Sequence, residues 1–157
     1  MGSKSTPTAI VLTRQNLPQI EGSSKDAFKG AYVISEASNK DSIDLILLAS
    51  GSEVELAINA KAVLEGEGKS VRVVSVPCMD IFDKQSKEYN EEVLPSNVRA
   101  RLAVEAGGTM PWFKYVGIDG DVVGMTSFGA SAPASVLFKH FGFTTENVVE
   151  RAKKLMF

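Results

Sequence analysis

Apolar and polar positions alternate in blocks along most of this chain. Ile43–Ala49 is a run of strand length that is apolar but for Asp44, the pattern of a strand covered on both faces. Ser52 and Glu55 then stand at capping-box spacing, so Ser52 is read as the N-cap of a helix. That helix carries Val54, Ala57, Ala60 and Leu64 on one side and stops at Gly66 and Gly68. Val71–Val76 is the next strand, closed by Pro77. Asp80 is read as the cap of a helix ending before Pro95. Arg101–Ala106 and Asp121–Met125 read as further strands, and 133–141 and 147–156 as two closing helices. Strands alternating with helices predict parallel βαβ units, and hence an α/β/α sandwich.

The first thirty residues are less regular. Ala9–Leu12 predicts a short strand, followed by a polar loop from Thr13 to Pro18. Residues 13–30 read as a lead-in outside the sheet, and Ala31–Ser35 as a further, partly exposed strand. Met1–Ser5 reads as a start codon with a cloning scar, residues 6–30 as lead-in strand and loop, and 31–157 as the α/β domain proper.

Composition narrows the classes. At 157 residues with 44% apolar and 23% charged residues, the chain has the make-up of one soluble domain. A formal charge of −2 gives no basic surplus for nucleic acid, and no apolar run is long enough for a membrane span. A single cysteine, Cys78, and the absence of a signal-type apolar region suit a reducing, cytoplasmic setting.

Candidate chemistry is sparse. Glu65–Gly68 is a helix end whose acids would repel phosphate, and Gly117–Asp121 precedes a strand and reads as a turn. Gly107-Gly108 reads as a plain loop or as a place of close backbone approach. Ser50, Gly51 and Ser52 lie between a buried strand and a helix start, where free N–H groups favour an anion, although capping also accounts for Ser52. Arg14 ends an apolar run and is either a solvated arginine or a bidentate holder of phosphate or carboxylate. His140 lacks a histidine or cysteine partner for a metal, Cys78 reads as a buried structural thiol, and Trp112 and Phe113 as core or interface aromatics. Nothing in the sequence forms a catalytic set, which suggests a module assisting chemistry performed elsewhere.

Five segments in order resemble the C-terminal domain of the transketolase family. They are Leu12-Thr13-Arg14-Gln15-Asn16-Leu17-Pro18, Leu48-Ala49-Ser50-Gly51-Ser52-Glu53-Val54, Val76-Pro77-Cys78-Met79-Asp80-Ile81-Phe82-Asp83, Phe128-Gly129-Ala130-Ser131-Ala132-Pro133 and Phe141-Gly142-Phe143-Thr144. The resemblance implies a three-layer α/β/α sandwich around a five-stranded, mostly parallel sheet with one antiparallel edge strand at Tyr32-Val33-Ile34. It also implies transfer of a two-carbon ketol unit from a ketose phosphate to an aldose phosphate. That reaction uses thiamine diphosphate and Mg²⁺ or Ca²⁺ held by other domains of a homodimer. By the same resemblance Arg14 contributes to the substrate phosphate, while this domain holds no catalytic residue, metal or cofactor and is inactive alone. The alternative is a stand-alone binding, assembly or regulatory module related to such domains.

Overall fold

The computed structural model describes residues 5–156; Met1–Lys4, most of the expected cloning scar, and Phe157 lie outside the described residues. A short 3-10 turn, Lys25–Lys29, leads into β1 (Tyr32–Ser35). There follow β2 (Leu45–Ala49), α1 (Glu53–Gly66) and β3 (Val71–Ser75). Next come α2 (Met79–Phe82), α3 (Lys87–Val93), β4 (Arg101–Gly108), α4 (Phe113–Val116) and β5 (Asp121–Met125). The chain closes with α5 (Ala134–His140) and α6 (Thr145–Leu155).

The five strands form one sheet in the order β1-β3-β2-β4-β5. The β3–β2, β2–β4 and β4–β5 pairs are parallel, and β1 pairs antiparallel with β3 at one edge, as expected. Every residue of β2 is fully buried, because it lies between β3 and β4 with helices on both faces. Strand pleating divides its side chains between two cores. Leu45, Leu47 and Ala49 face Val54, Ala57, Ala60 and Leu64 of α1 and Val148 and Ala152 of α6. Ile46 and Leu48 face a second core with Phe82, Val93, Trp112 and Tyr115. The periodic apolar positions of the sequence are thus the two inner faces of a three-layer sandwich.

Several local expectations change. Ala9–Leu12 forms no strand: residues 5–19 are all exposed and lack regular structure, and the sheet runs from β1 to β5 without them. The helix expected from Asp80 to Pro95 is two helices, because Cys78 sits at the first N-cap and the Ser86 hydroxyl accepts from the Tyr89 amide at 3.2 Å to start the second. Ser52 precedes α1 in helical conformation and makes no side-chain cap; its hydroxyl donates to Glu53 instead. Cys78 is half-buried rather than enclosed. Trp112 is core, whereas Phe113 is 53% exposed.

Two glycines fasten the lead-in to the sandwich. At Gly30, φ is +90°, and a Cβ would lie 2.3 Å from the Phe82 amide nitrogen and 2.4 Å from the Cys78 carbonyl oxygen. This close approach lets the Cys78 amide donate to the Gly30 carbonyl at 2.9 Å. Gly22, with φ of +89°, passes against the Ile34 carbonyl in the same way. Gly30→Ala is therefore expected to cost at least about 2 kcal/mol, from left-handed strain and a backbone clash, and to lower Tm by roughly 4–8 °C. An unchanged melting curve would show that the β1 entrance yields without cost.

Candidate functional site

The carboxyl ends of β2 and β4 lie side by side, and Ser50, Ser52, Glu53 and Glu105 gather there. β2 delivers Ser50 and α1 starts two residues later, so Ser50, Gly51 and Ser52 are brought together as expected. Gly51 turns the chain with φ of +52°. On the neighbouring strand the register between β4 and β5 slips: Val104 faces Val123, but Gly108 faces Met125. Glu105 lies within this irregularity, with its carboxylate in reach of Ser50 and close to Glu53 at the start of α1.

The sequence expectation of an anion at this edge meets an acidic surface. Ser50 Oγ donates to Glu105 Oε2 at 2.7 Å, and Ser52 Oγ donates to Glu53 Oε1 at 2.7 Å. The Glu53 and Val54 amides, which an anion would use, already donate to Ser50 and Gly51 carbonyls at 3.1 and 3.4 Å. Glu53 is only 4% exposed. Burial pushes its carboxyl above the ordinary carboxylate range, and the Glu105 charge acts in the same direction. The Ser52 hydroxyl and the Glu53 and Ala106 amides only partly oppose this. The pairing of Glu53 with Glu105 escaped the sequence reading because it depends on the β2–β4 register; its one linear signal was a carboxylate at the end of an apolar strand.

Arg14 lies elsewhere, exposed on the irregular lead-in, where the neighbouring Gln15 amide donates to Thr13 Oγ1 at 3.2 Å. His140 ends α5 with its ring edge-on to Phe141. Among the described residues, no three histidine, cysteine, aspartate or glutamate side chains converge as a metal site, and no helix is long and apolar enough to cross a membrane.

The central strand is wholly enclosed, the carboxylates at the carboxyl end of the sheet bond to neighbouring hydroxyls, and the whole is a three-layer α/β/α domain. Its comparisons with known proteins agree. Residues 30–144 match the transketolase-like TK C-terminal domain, and the chain belongs to that family. It is 56% identical to a transketolase of Halalkalibacterium halodurans over 158 aligned positions, covering 98% of this chain and 23% of the relative. Transketolase 2 of Escherichia coli is 53% identical over 153 positions, again with 23% of the relative covered. Among solved structures, a Pichia stipitis transketolase in complex with sedoheptulose 7-phosphate superposes with a TM-score of 0.82 at 48% identity, over 91% of this chain and 20% of that one. The chain therefore spans about a quarter of the length of these relatives.

The raised carboxyl gives a signed prediction. A carboxyl held higher in the folded than in the unfolded chain contributes stability at low pH, and that stability is lost as pH rises through its folded value. Glu53→Gln keeps the shape and removes the buried charge. Its Tm should exceed that of the wild type at pH 7.5, and the gain should shrink as pH falls into the ordinary carboxylate range. A gain that does not vary with pH would separate it from Glu53 ionisation.

Proposed function

We propose that this domain serves a transketolase that carries a two-carbon ketol unit from a ketose phosphate to an aldose phosphate. Within that enzyme it is a rigid scaffold that also presents Arg14 to the phosphate of the sugar. The observation that carries this reading is the near-complete match of the chain, lead-in included, to the transketolases. The sedoheptulose 7-phosphate complex of the Pichia stipitis relative supports a sugar phosphate as the ligand class.

Arg14 suits the role chemically. Its guanidinium presents paired N–H groups to phosphate oxygens. It is exposed, so no rearrangement of the core precedes contact with a substrate. Holding the phosphate fixes the far end of the sugar and restrains the reacting end in a cleft formed with the rest of the enzyme.

Thiamine diphosphate with Mg²⁺ or Ca²⁺ supplies the bond-breaking chemistry in such an enzyme. The residues of this domain do not fit that group. The carboxyl edge of the sheet presents Glu53 and Glu105 with the neighbouring hydroxyls donating to them, which opposes a diphosphate. The cofactor accordingly belongs to the remaining domains, the partners of this one, in a cytoplasmic homodimer.

A coupled assay of the 157-residue chain with xylulose 5-phosphate, ribose 5-phosphate, thiamine diphosphate and Mg²⁺ should give no turnover. Turnover that survives repurification and disappears with Arg14→Ala would overturn the assignment of the cofactor to other domains. In a full-length transketolase carrying these residues, Arg14→Ala should raise KM for phosphorylated sugars about 10- to 100-fold, the loss expected for charged hydrogen bonds. Unphosphorylated substrates should be affected far less. An equal loss for both would remove Arg14 from phosphate recognition.

A further inference from the structure

Arg14, the arginine proposed for the sugar phosphate, is held by the sandwich only at a distance. From Thr13 to Gln19 the chain has no helix or strand, and every residue is exposed. The first firm hold comes at Ile20, which packs against the core formed by β2 and α1. The Ser23 amide donates to the Ile20 carbonyl at 3.2 Å, and Gly22 lies against the Ile34 carbonyl of β1. Six residues of chain span at most about 20 Å. That anchor bounds where Arg14 can reach without setting the direction of its side chain. Pro18 fixes its own φ and keeps Leu17 extended, which stiffens the tether but acts well short of the arginine.

Direction has a local source. The Gln15 amide donates to Thr13 Oγ1 at 3.2 Å, closing a small ring across Arg14. The chain bends at Arg14 and Gln15, inside that ring. A hydroxyl that accepts from the amide two residues further on does the work of a backbone turn. Threonine suits the task because branching at Cβ leaves its oxygen few rotamers to choose from. An arginine on an unrestrained backbone loses conformational freedom when a phosphate fixes it. A bend formed beforehand removes part of that loss.

We propose that Thr13 is a positioning residue for Arg14, its hydroxyl holding the bend that aims the guanidinium at the phosphate of the sugar. The inference rests on the reading of Arg14 as the phosphate arginine. Thr13 acts through Arg14 and makes no bond to the substrate itself. The hydroxyl oxygen is the acting atom, so serine can replace threonine, whereas valine has nearly the same shape and cannot.

In a full-length transketolase carrying these residues, Thr13→Val should raise KM for phosphorylated sugars about 3- to 10-fold, with kcat within about 2-fold, as fits the loss of one neutral hydrogen bond. KM for unphosphorylated sugars should move far less. Thr13→Ser should bring KM back to within about 2-fold of wild type, since its hydroxyl makes the same turn. Without the guanidinium there is nothing to aim, so Thr13→Val should add no further loss to Arg14→Ala. In the 157-residue chain, NMR should show the Gln15 amide less solvated than its neighbours, a difference lost in Thr13→Val and kept in Thr13→Ser. An unchanged KM in Thr13→Val, a failed rescue by serine, or a Gln15 amide equally solvated in wild type and Thr13→Val overturns the proposal. A further rise in KM when Thr13→Val is added to Arg14→Ala also overturns it, by making Thr13 a phosphate ligand in its own right. If Arg14→Ala itself leaves the preference for phosphorylated sugars intact, the reading of Arg14 falls and takes this inference with it. A clear effect of Arg14→Ala with none from Thr13→Val removes this inference alone.

Discussion

Complete enclosure of one strand governs the rest of this structure. All five residues of β2 are withdrawn from water, so every backbone polar group in it must find a partner in the sheet, and every side chain a partner in a helix. Parallel pairing with β3 on one side and β4 on the other meets the first demand. The second requires helices on both faces, which is why the chain crosses over the sheet between successive strands. Small side chains at Ala57, Ala60 and Ala152 accompany the packing of α1 and α6 together over β2. The opposite face is filled by bulkier groups from shorter helices, with Phe82 set against both Tyr89 and Tyr115.

The loops around this core are held by buried cations that find their partners internally. Arg72 grips both oxygens of Glu36, at 2.8 and 3.1 Å, and reaches the Glu92 carbonyl at 2.7 Å. It thereby ties β3 to the segment after β1 and to the end of α3. Arg101, at the amino end of β4, donates to the carbonyls of Val98, Tyr115, Leu94 and Pro95. Those four carbonyls lie on the segment between α3 and β4 and in α4, so one side chain ties both to the start of the strand. Arg151 joins α6 to β5 through both oxygens of Asp121. Guanidinium groups suit these positions because one planar head satisfies several acceptors at once. The amino edge of the sheet is knotted by such contacts, while the carboxyl edge carries Ser50, Ser52, Glu53 and Glu105.

The proposed role of such a domain is position rather than reaction. Its own polar groups are largely spent on one another, and the arginine suited to a substrate phosphate stands outside the sandwich. A body held together internally in this way can dock against neighbours without losing internal entropy.

Local sequence sufficed for much of this. The largely apolar runs at 43–49, 71–76, 101–106 and 121–125 specify strands, because burial on both faces confines most polar residues to their ends. The stripe Val54, Ala57, Ala60 and Leu64 specifies α1 by helical spacing alone. The family was legible from five short segments in order, Arg14 among them. Tertiary structure alone decided that Ser52 would bond Glu53 rather than cap α1, that the 80–95 region would break at Asp83–Ser86, and that Glu105 would face Glu53. It also decided the fate of Ala9–Leu12, which has strand composition yet forms no strand here. The first two turn on short-range hydrogen bonds, from Ser52 to Glu53 and from the Tyr89 amide to Ser86, that competing spacings leave undecided. Periodicity and propensity record what a segment tends to do by itself, whereas a carboxylate pair or a strand exists only when a distant segment arrives to complete it.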